Sequence, residues 1–369
     1  MKPALGPLTL YGSRISYYTG KLEAYLRYRQ IPYELRPTVG NESKLKAGTG
    51  VVQMPVVELG DGRWMTDTTP ILAWLEHQQD GASIYPADPG LNFIACLIED
   101  YADEWLWRSA MHYRWSYRID RHYAAETLYQ ELIKGIRPLP RQLALRLLKR
   151  RQYGGFVRGD GVNRHTRQHT DETYLNALAP LQDILQTRPF LLGETPSIAD
   201  FGLMAPMFRH FSQDPTPAEL MRNRAPHVYA WVARMWSLSP QSSDPAWITE
   251  LDGPLEALLV EICDTHLEQL RANAAAYSRG LKRYDQSIQG CTYHSVPTSR
   301  YRVWCLETLQ QSWADLDSAD QQRLKSSLNR PSAAVLWDAH TCKSSDYDVA
   351  QDAPFNRAIN VFGTGVPPR

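Results

Sequence analysis

The order of strand and helix patterns between residues 8 and 79 restricts the fold of this chain most. Residues 8–11 are a short apolar run ended by Gly12, and residues 21–29 carry apolar side chains at helical spacing. A second strand pattern follows at residues 32–36. Because a strand–helix–strand order joins parallel neighbours, we expect these two strands to pair in parallel.

The second half of this region predicts a hairpin and a helix. Residues 55–59 and 63–65 flank Gly60-Asp61-Gly62, a strong turn signal. Residues 71–75 then provide the buried face of a helix that a threonine caps. The polar stretch before the hairpin, with three glycines, is expected to be a loop. The combined order matches a four-stranded thioredoxin-like domain over residues 1–80.

The remaining chain shows helical patterns and no convincing strand. We expect one long helix over residues 92–118, an S-x-x-D capping box at Ser197 and Asp200, and an all-α domain over residues 90–239. A polar break then opens a third region, residues 240–369, with helical patterns at 255–278 and 303–316. The predicted fold class is therefore an α/β thioredoxin-like N-terminal domain, an all-α C-terminal domain, and an additional helical C-terminal extension ending in an irregular tail.

Composition excludes several classes of function. The chain has 40 basic and 40 acidic residues, so it lacks the overall positive charge that general nucleic-acid binding needs. Its five cysteines form no C-x-x-C pair, which favours a reducing compartment. Neither a signal peptide nor an apolar run long enough to span a bilayer is present, so a soluble, cytoplasmic protein is expected.

Four ordered motifs resemble the glutathione S-transferase superfamily, in its serine-type, cytosolic form. The match covers about residues 7–239. The motifs are Leu10-Tyr11 followed by a hydroxyl-rich loop, Gln53-Met54-Pro55-Val56-Val57, Asp61-Gly62 with Asp67-Thr68 at a helix start, and Phe190-Leu-Leu-Gly193 with Ser197-Ile-Ala-Asp200. This resemblance implies that glutathione is the cosubstrate and that the protein is a homodimer. No metal is expected, because the Cys and His pairs of the third region, Cys263/His266, Cys291/His294 and His340/Cys342, are separated and irregular in context.

Catalysis by such a protein requires ionisation of the glutathione thiol, because the thiolate is the nucleophile. Counting back from residues 31–34, the catalytic serine of the family falls on Ser16. The alternative is that Ser16 only caps the first helix, since both roles use the same geometry. Tyr17 and Tyr18 are near enough for a phenol to reach the thiolate instead. Tyr11 is either a catalytic tyrosine or a residue packed in the core.

The resemblance also implies a set of glutathione contacts. Met54, before a cis-Pro55, would pair its backbone with the cysteinyl unit, and Gln53 would hold the glycine end. Thr68 would donate to the γ-glutamyl carboxylate, while Asp67 would accept from the γ-glutamyl ammonium. Tyr17 is placed among the glutathione-binding residues. For Gln53 the alternative is a solvated loop residue, and for Asp67 and Thr68 it is plain helix capping.

The acceptor substrate is expected beside an aromatic stripe in residues 101–115. The stripe has helical spacing, which also fits a core or dimer interface. Its predicted pocket residues are Tyr101, Trp105, Arg108 and His112.

Two classes of function fit this pattern. The first is a transferase that adds the glutathione thiolate to an apolar electrophilic small molecule, as in detoxification. The second is a non-catalytic ligand carrier or scaffold on the same fold. The basic segment 137–167 is either a solvated face or a surface for anionic acceptors or acidic lipid.

Overall fold

A four-stranded sheet begins the fold in a computed structural model that describes residues 6–133, 140–240, 246–338 and 343–346. The strand order is β2-β1-β3-β4, with β1 and β2 parallel and β3 antiparallel to both of its neighbours. The strands are β1 (Leu8–Gly12), β2 (Tyr33–Pro37), β3 (Val56–Glu58) and β4 (Trp64–Thr66), and the helices of this unit are α1 (Tyr17–Tyr28), α2 (Glu42–Thr49) and α3 (Thr68–His77). The predicted parallel pair and hairpin are confirmed.

Helix α2 was not predicted, because its sequence is polar and contains a glycine. Only Leu45 and Thr49 are buried along it, so the apolar periodicity that reveals a helix is weak. Gly48 is required for its packing, since a Cβ atom there would lie 2.4 Å from the ring of Trp64. The stretch expected to be a loop is therefore a short helix that packs on the sheet through Leu45, which lies in a cluster with Tyr11, Val56 and Trp64.

The helical domain that follows is built from eight α-helices in the described residues. They are α4 (Pro89–Glu104), α5 (Leu106–Ser116), α6 (Arg118–Leu128), α7 (Arg141–Gln152), α8 (Arg167–Thr187), α9 (Ile198–Pro206), α10 (Pro215–Arg224) and α11 (Pro226–Trp236). Short π-helical segments extend three of them, at Tyr129–Ile133, Tyr153–Val157 and Met207–Phe211. The single helix expected over 92–118 is wrong in detail, because it breaks at Trp105 into α4 and α5.

A buried carboxylate organises the centre of this domain. Asp200 is fully buried and accepts hydrogen bonds from the N–H of Ser197 at 2.9 Å, the N–H of Leu191 at 3.0 Å and the indole N–H of Trp231 at 3.1 Å. The predicted capping box at the start of α9 is confirmed. One side chain thus joins three separate segments of the helical domain.

The C-terminal extension contains helices and also a hairpin that the sequence analysis missed. Its elements are α12 (Gly253–Ile262), α13 (Glu268–Ser278), β5 (Arg283–Ile288), β6 (Cys291–Pro297), α14 (Arg300–Ala314) and α15 (Ser318–Ser327). Burial alternates along β5, and the turn residues Gln289 and Gly290 both have positive φ, as a tight hairpin turn requires. The extension packs on the helical domain through α12 against α8 and through α14 and α15 against α4.

The boundaries at 1–80, 90–239 and 240–369 stay predictions, although the segments between α3 and α4 and between α11 and α12 lie near them. The predicted tail, the beginning of the basic segment and most of the break at 239–245 lie outside the described residues. Within the described ranges, the helices include none with the length and apolar character to cross a membrane.

The Asp200 network generates a stability prediction. Asp200→Ala leaves buried donors on Leu191, Ser197 and Trp231 without an acceptor, so we expect the free energy of unfolding to fall by about 3 kcal/mol or more. Thermal unfolding followed by circular dichroism measures the change. The control is Asp183→Ala on the exposed face of α8, expected to change stability by less than about 0.5 kcal/mol. Equal effects of the two variants would contradict this role for Asp200.

Candidate functional site

The register of the sheet brings three chain segments to one edge. Tyr11 lies opposite Val56 in an antiparallel pair, so the loop after β1 is beside the segment before β3. Val56 also lies opposite Thr66, so the segment after β4 arrives at the same edge. The predicted residues at this edge, which we call the sheet-edge site, are Ser16, Gln53, Met54 and Asp67.

Ser16 is the N-cap residue of α1. Its backbone is extended, with φ −76° and ψ 135°, and its Oγ accepts from the N–H of Thr19 at 3.4 Å. The residue is half-buried, so solvent or a ligand reaches it. As an acceptor in the capping bond, the hydroxyl retains its own hydrogen for donation to a second group. The positive end of the helix dipole favours an anion at this position.

Ser13, the other serine of this loop, is committed elsewhere. Its hydroxyl donates to the Glu131 carboxylate at 2.6 Å and accepts from the N–H of Ile15 at 3.3 Å. The same carboxylate accepts from the N–H of Arg14 at 3.2 Å. Glu131, which follows α6, thus fixes the loop between β1 and α1. Ser16 is the half-buried serine of this loop.

Two of the three candidate tyrosines, Tyr17 and Tyr11, are buried in packing and have their hydroxyls bonded away from the sheet-edge site. Tyr17 is buried and its hydroxyl donates to the carbonyl of Ala102 at 2.5 Å; burial raises the pKa of this phenol well above its usual value. Tyr11 is buried and donates to Glu58 at 2.9 Å. Tyr17 therefore packs between the two domains, and its predicted contact with glutathione has no support in this geometry.

The segment before β3 offers a backbone surface. The Met54–Pro55 peptide bond is cis, as the resemblance implied, and Met54 is half-buried. Among the described residues, the N–H and C=O of Met54 have no backbone hydrogen-bond partner. Gln53 is held in place because its amide donates to the Thr66 hydroxyl at 2.6 Å.

Asp67 combines an unusual backbone with a carboxylate that lacks a full set of partners. It is the N-cap of α3, with φ 74°, and its Oδ1 accepts from the N–H of Thr69 at 3.3 Å. Its other oxygen, Oδ2, is buried and has no hydrogen-bond partner among the described residues. A buried acceptor of this kind is rare in folded proteins and is consistent with a ligand donor.

The electrostatic surroundings of Asp67 include the C-terminal extension. Burial raises the pKa of Asp67 to about 7, while the nearby hydroxyl of Tyr301 and the ammonium of Lys21 act in the opposite direction. Tyr301 lies in the first turn of α14, which Ser299 caps by accepting from the N–H of Arg302 at 3.2 Å. The extension therefore contributes to the sheet-edge site, a contact that no local sequence pattern could reveal.

Thr68, by contrast, is buried as the first residue of α3, with 2% of its surface exposed. The expected contact of its hydroxyl with the γ-glutamyl carboxylate stays a prediction. Its neighbour Thr69 is half-buried and donates to Glu99 at 2.5 Å.

A buried ion cluster lies directly below these residues. The Lys21 ammonium contacts the carboxylates of Glu99 and Asp103, the latter at 2.5 Å, and the Thr69 hydroxyl at 3.4 Å. Burial raises the pKa of Asp103 well above its usual value. This cluster connects α1 to α4.

The predicted acceptor stripe lies in the core. Tyr101, Trp105, Arg108 and His112 are each at most 3% exposed. Arg108 pairs with Asp160 at 2.9 Å, and its guanidinium lies 4.6 Å from the ring centre of Tyr293. Their burial favours the core alternative over the pocket, because helical spacing shows which residues share a face but not what that face meets.

A different aromatic group forms around Tyr18 in the first turn of α1. Trp107, half-buried in α5, stacks on Tyr18 with ring centres 5.6 Å apart and meets Phe156 edge-on at 5.7 Å. Tyr18 follows Ser16 by two positions and also has its hydroxyl bonded to the carbonyl of Asp103 at 2.9 Å. The sequence analysis did not identify Trp107 and Phe156. They are far from Tyr18 in the sequence, and only the fold brings the three rings together.

In the described part of the chain, no group of three or more His, Cys, Asp or Glu side chains has an arrangement that could hold a metal ion.

Comparison with known proteins agrees with this architecture. Residues 10–83 match the glutathione S-transferase N-terminal domain family and residues 164–234 match its C-terminal domain family. Among curated proteins, no relative matches.

Several solved structures are similar to this chain. The β-etherase LigF from Sphingobium sp. strain SYK-6 has 20% identity and a TM-score of 0.44, over 62% of this chain and 95% of its own. A glutathione S-transferase from Pseudomonas fluorescens has 22% identity and a TM-score of 0.38, over 66% and 99%. One from Methylobacterium radiotolerans, in complex with glutathione sulfonate, has 18% identity and a TM-score of 0.38, over 66% and 100%. With both domain families matched in order, the chain belongs to the glutathione S-transferase superfamily.

Proposed function

We propose that this protein is a glutathione transferase in which Ser16 stabilises the thiolate of bound glutathione for addition to an apolar electrophile. The observation that carries the proposal is the position of Ser16, a half-buried hydroxyl at the N-terminus of α1, on the same sheet edge as Met54 and Asp67. On the family resemblance alone, we also propose a cytoplasmic homodimer that acts in detoxification.

The energetic requirement on the site is modest. A free thiol has a pKa of about 8.5, so about 3% is ionised at pH 7. Lowering this pKa by about two units makes the thiolate the major form and corresponds to about 2.7 kcal/mol of preferential stabilisation. A hydroxyl donor together with the N-terminal end of a 12-residue helix supplies stabilisation of this size.

The remaining residues of the site would hold the tripeptide. The N–H and C=O of Met54 would pair with the cysteinyl backbone, and the Gln53 side chain would contact the glycyl end. The buried Oδ2 of Asp67 would accept from the γ-glutamyl ammonium, which completes the hydrogen bonding of that carboxylate. Asp67 is one methylene shorter than glutamate, but it is the N-cap of α3, so the carboxylate is carried by a fixed helix end.

The acceptor would bind against the faces of Tyr18, Trp107 and Phe156. In the reaction the thiolate sulfur donates its electron pair to an electrophilic carbon, forming a C–S bond. In a displacement, the bond to the leaving group breaks and that group departs with the bonding electrons. Half-buried aromatic rings next to the nucleophile suit a flat apolar electrophile.

Replacement of Ser16 tests the proposed nucleophile stabilisation. We expect Ser16→Ala to lower kcat for glutathione addition to chlorodinitrobenzene by about 100-fold at neutral pH, because one donor to a developing or resident anion is lost. The glutathione Kd from calorimetry should change much less. Ser43→Ala is the matched control, since that serine is exposed on α2 and outside the site. Full turnover in Ser16→Ala would contradict the proposal, and no glutathione binding by the wild type would favour a carrier or scaffold.

The raised pKa of Asp67 predicts a pH-dependent affinity. Only the carboxylate accepts from an ammonium, so below a pKa of about 7 binding should weaken by about tenfold per pH unit. S-methylglutathione is the suitable ligand, because it has no thiol to titrate, and calorimetry between about pH 5.5 and pH 8 measures its Kd.

Two variants control this experiment. Asp67→Asn should bind weakly with a flat pH profile, whereas Asp61→Asn, in the exposed hairpin turn, should keep the profile of the wild type. A flat profile in the wild type would show that Asp67 does not hold the ammonium.

The aromatic group is tested by two tryptophans of contrasting position. Trp107→Ala should raise the KM for chlorodinitrobenzene by about fivefold to tenfold, since one aromatic face of the pocket is lost. Trp105→Ala, two residues earlier and 1% exposed, should instead lower the free energy of unfolding by about 3–5 kcal/mol. The assignment fails if Trp107→Ala leaves KM unchanged while thermal unfolding shows the protein folded.

A further inference from the structure

Exposed apolar side chains are concentrated on two neighbouring helices of the helical domain. Seven large hydrophobic residues are exposed in the described part of the chain, and four of them lie on α6 and α7. They are Ile119 (60% exposed), Tyr123 (38%), Leu143 (43%) and Leu147 (49%). Single exposed hydrophobics are normal on protein surfaces, but a group on adjacent helices indicates an interaction surface.

These four side chains share one side of the helix pair. On α6 the buried residues include Ala124 and Ala125, and on α7 they are Ala144 and Leu145. Ala124, Ala125 and Leu145 belong to the same hydrophobic cluster, so both helices lie on one layer. Ile119 and Tyr123, and likewise Leu143 and Leu147, are one helical turn apart on the faces of α6 and α7 that turn away from this cluster.

Positive charge surrounds the exposed apolar residues. Arg146 and Arg150 are exposed and lie on the same stripe of α7 as Leu143 and Leu147. Arg118 and Arg151 are also exposed on these helices. The two helices carry two acidic residues, of which Asp120 is buried and bonded to Thr216, and Glu126 is paired with Arg141 at 2.5 Å.

We propose that this surface docks on an anionic lipid bilayer. We call it the α6–α7 face and define it by Ile119, Tyr123, Leu143, Arg146, Leu147 and Arg150. Its arginines complement the negative headgroups, and its aliphatic and aromatic side chains enter the boundary between headgroups and acyl chains. The chain as a whole is neutral, so the attraction is local to this face.

The apolar residues distinguish this partner from a nucleic acid. A phosphate backbone is bound through cations and polar groups, and Leu143 and Leu147 offer it nothing. An interfacial helix requires the combination seen here, with apolar side chains on one exposed face and Lys or Arg beside them.

Vesicle flotation with the full chain tests the proposal. The probes are vesicles of phosphatidylcholine with about one third phosphatidylserine, compared with phosphatidylcholine alone. We expect binding to the anionic vesicles at low salt, weaker binding at high salt, and no more than trace binding to the neutral ones.

Variants separate the two components of docking. Arg146→Gln with Arg150→Gln should weaken binding to anionic vesicles by about 25-fold, because each surface cation contributes about fivefold. Leu143→Ala with Leu147→Ala should weaken it by about tenfold through lost insertion. All four side chains are exposed, and thermal unfolding followed by circular dichroism checks that the variants fold.

The matched control removes the same charge elsewhere. Arg279→Gln with Lys282→Gln changes two exposed cations of the C-terminal extension and should leave vesicle binding as in the wild type. The proposal is overturned by absence of vesicle binding at low salt, by equal binding to neutral vesicles, or by equal losses in the control. Binding of duplex DNA without binding of vesicles would assign the face to nucleic acid and would overturn it as well.

Discussion

The buried ammonium of Lys21 is the interaction on which the geometry of the site depends. It joins α1 to Glu99 and Asp103 of α4, and all three side chains are nearly inaccessible to solvent. Removing one partner from a buried ion pair costs about 3–5 kcal/mol, because the other charge is left uncompensated. Since α1 begins immediately after Ser16, this cluster fixes the serine hydroxyl relative to the helical domain and hence to the rings of Tyr18 and Trp107.

Three parts of the chain that are distant in sequence contribute groups to the sheet-edge site or its surroundings. The sheet provides the loop of Ser16 and the backbone of Met54. The helical domain provides Glu131, which holds Ser13, and the aromatic face of Trp107. The extension provides Tyr301 beside Asp67. Side chains from all three parts of the chain therefore lie beside the Ser16 loop or Asp67.

The parts of this arrangement that sequence reasoning predicted are those with local signals. The β-α-β order, the Gly60-Asp61-Gly62 turn, and the Ser197–Asp200 cap each depend on residues a few positions apart. The hairpin of β5 and β6 had only a weak local signal. Tyr284 and Ile288 share the buried face of β5, but the polar Gln286 between them interrupts the apolar alternation that predicts a strand. The four residues predicted for the acceptor pocket are buried, since periodicity alone cannot distinguish a core face from a pocket face. The approach of Tyr301 to Asp67 spans more than 200 residues, so no local pattern could predict it.

The central claim concerns the ionisation of a bound sulfur beside a helix N-terminus. Its most direct measurement is the pKa of the glutathione thiol in the complex, obtained from the ultraviolet absorbance of the thiolate as pH is varied. The account predicts a pKa about two units below that of the free thiol. A bound thiol that titrates where free glutathione does would contradict it.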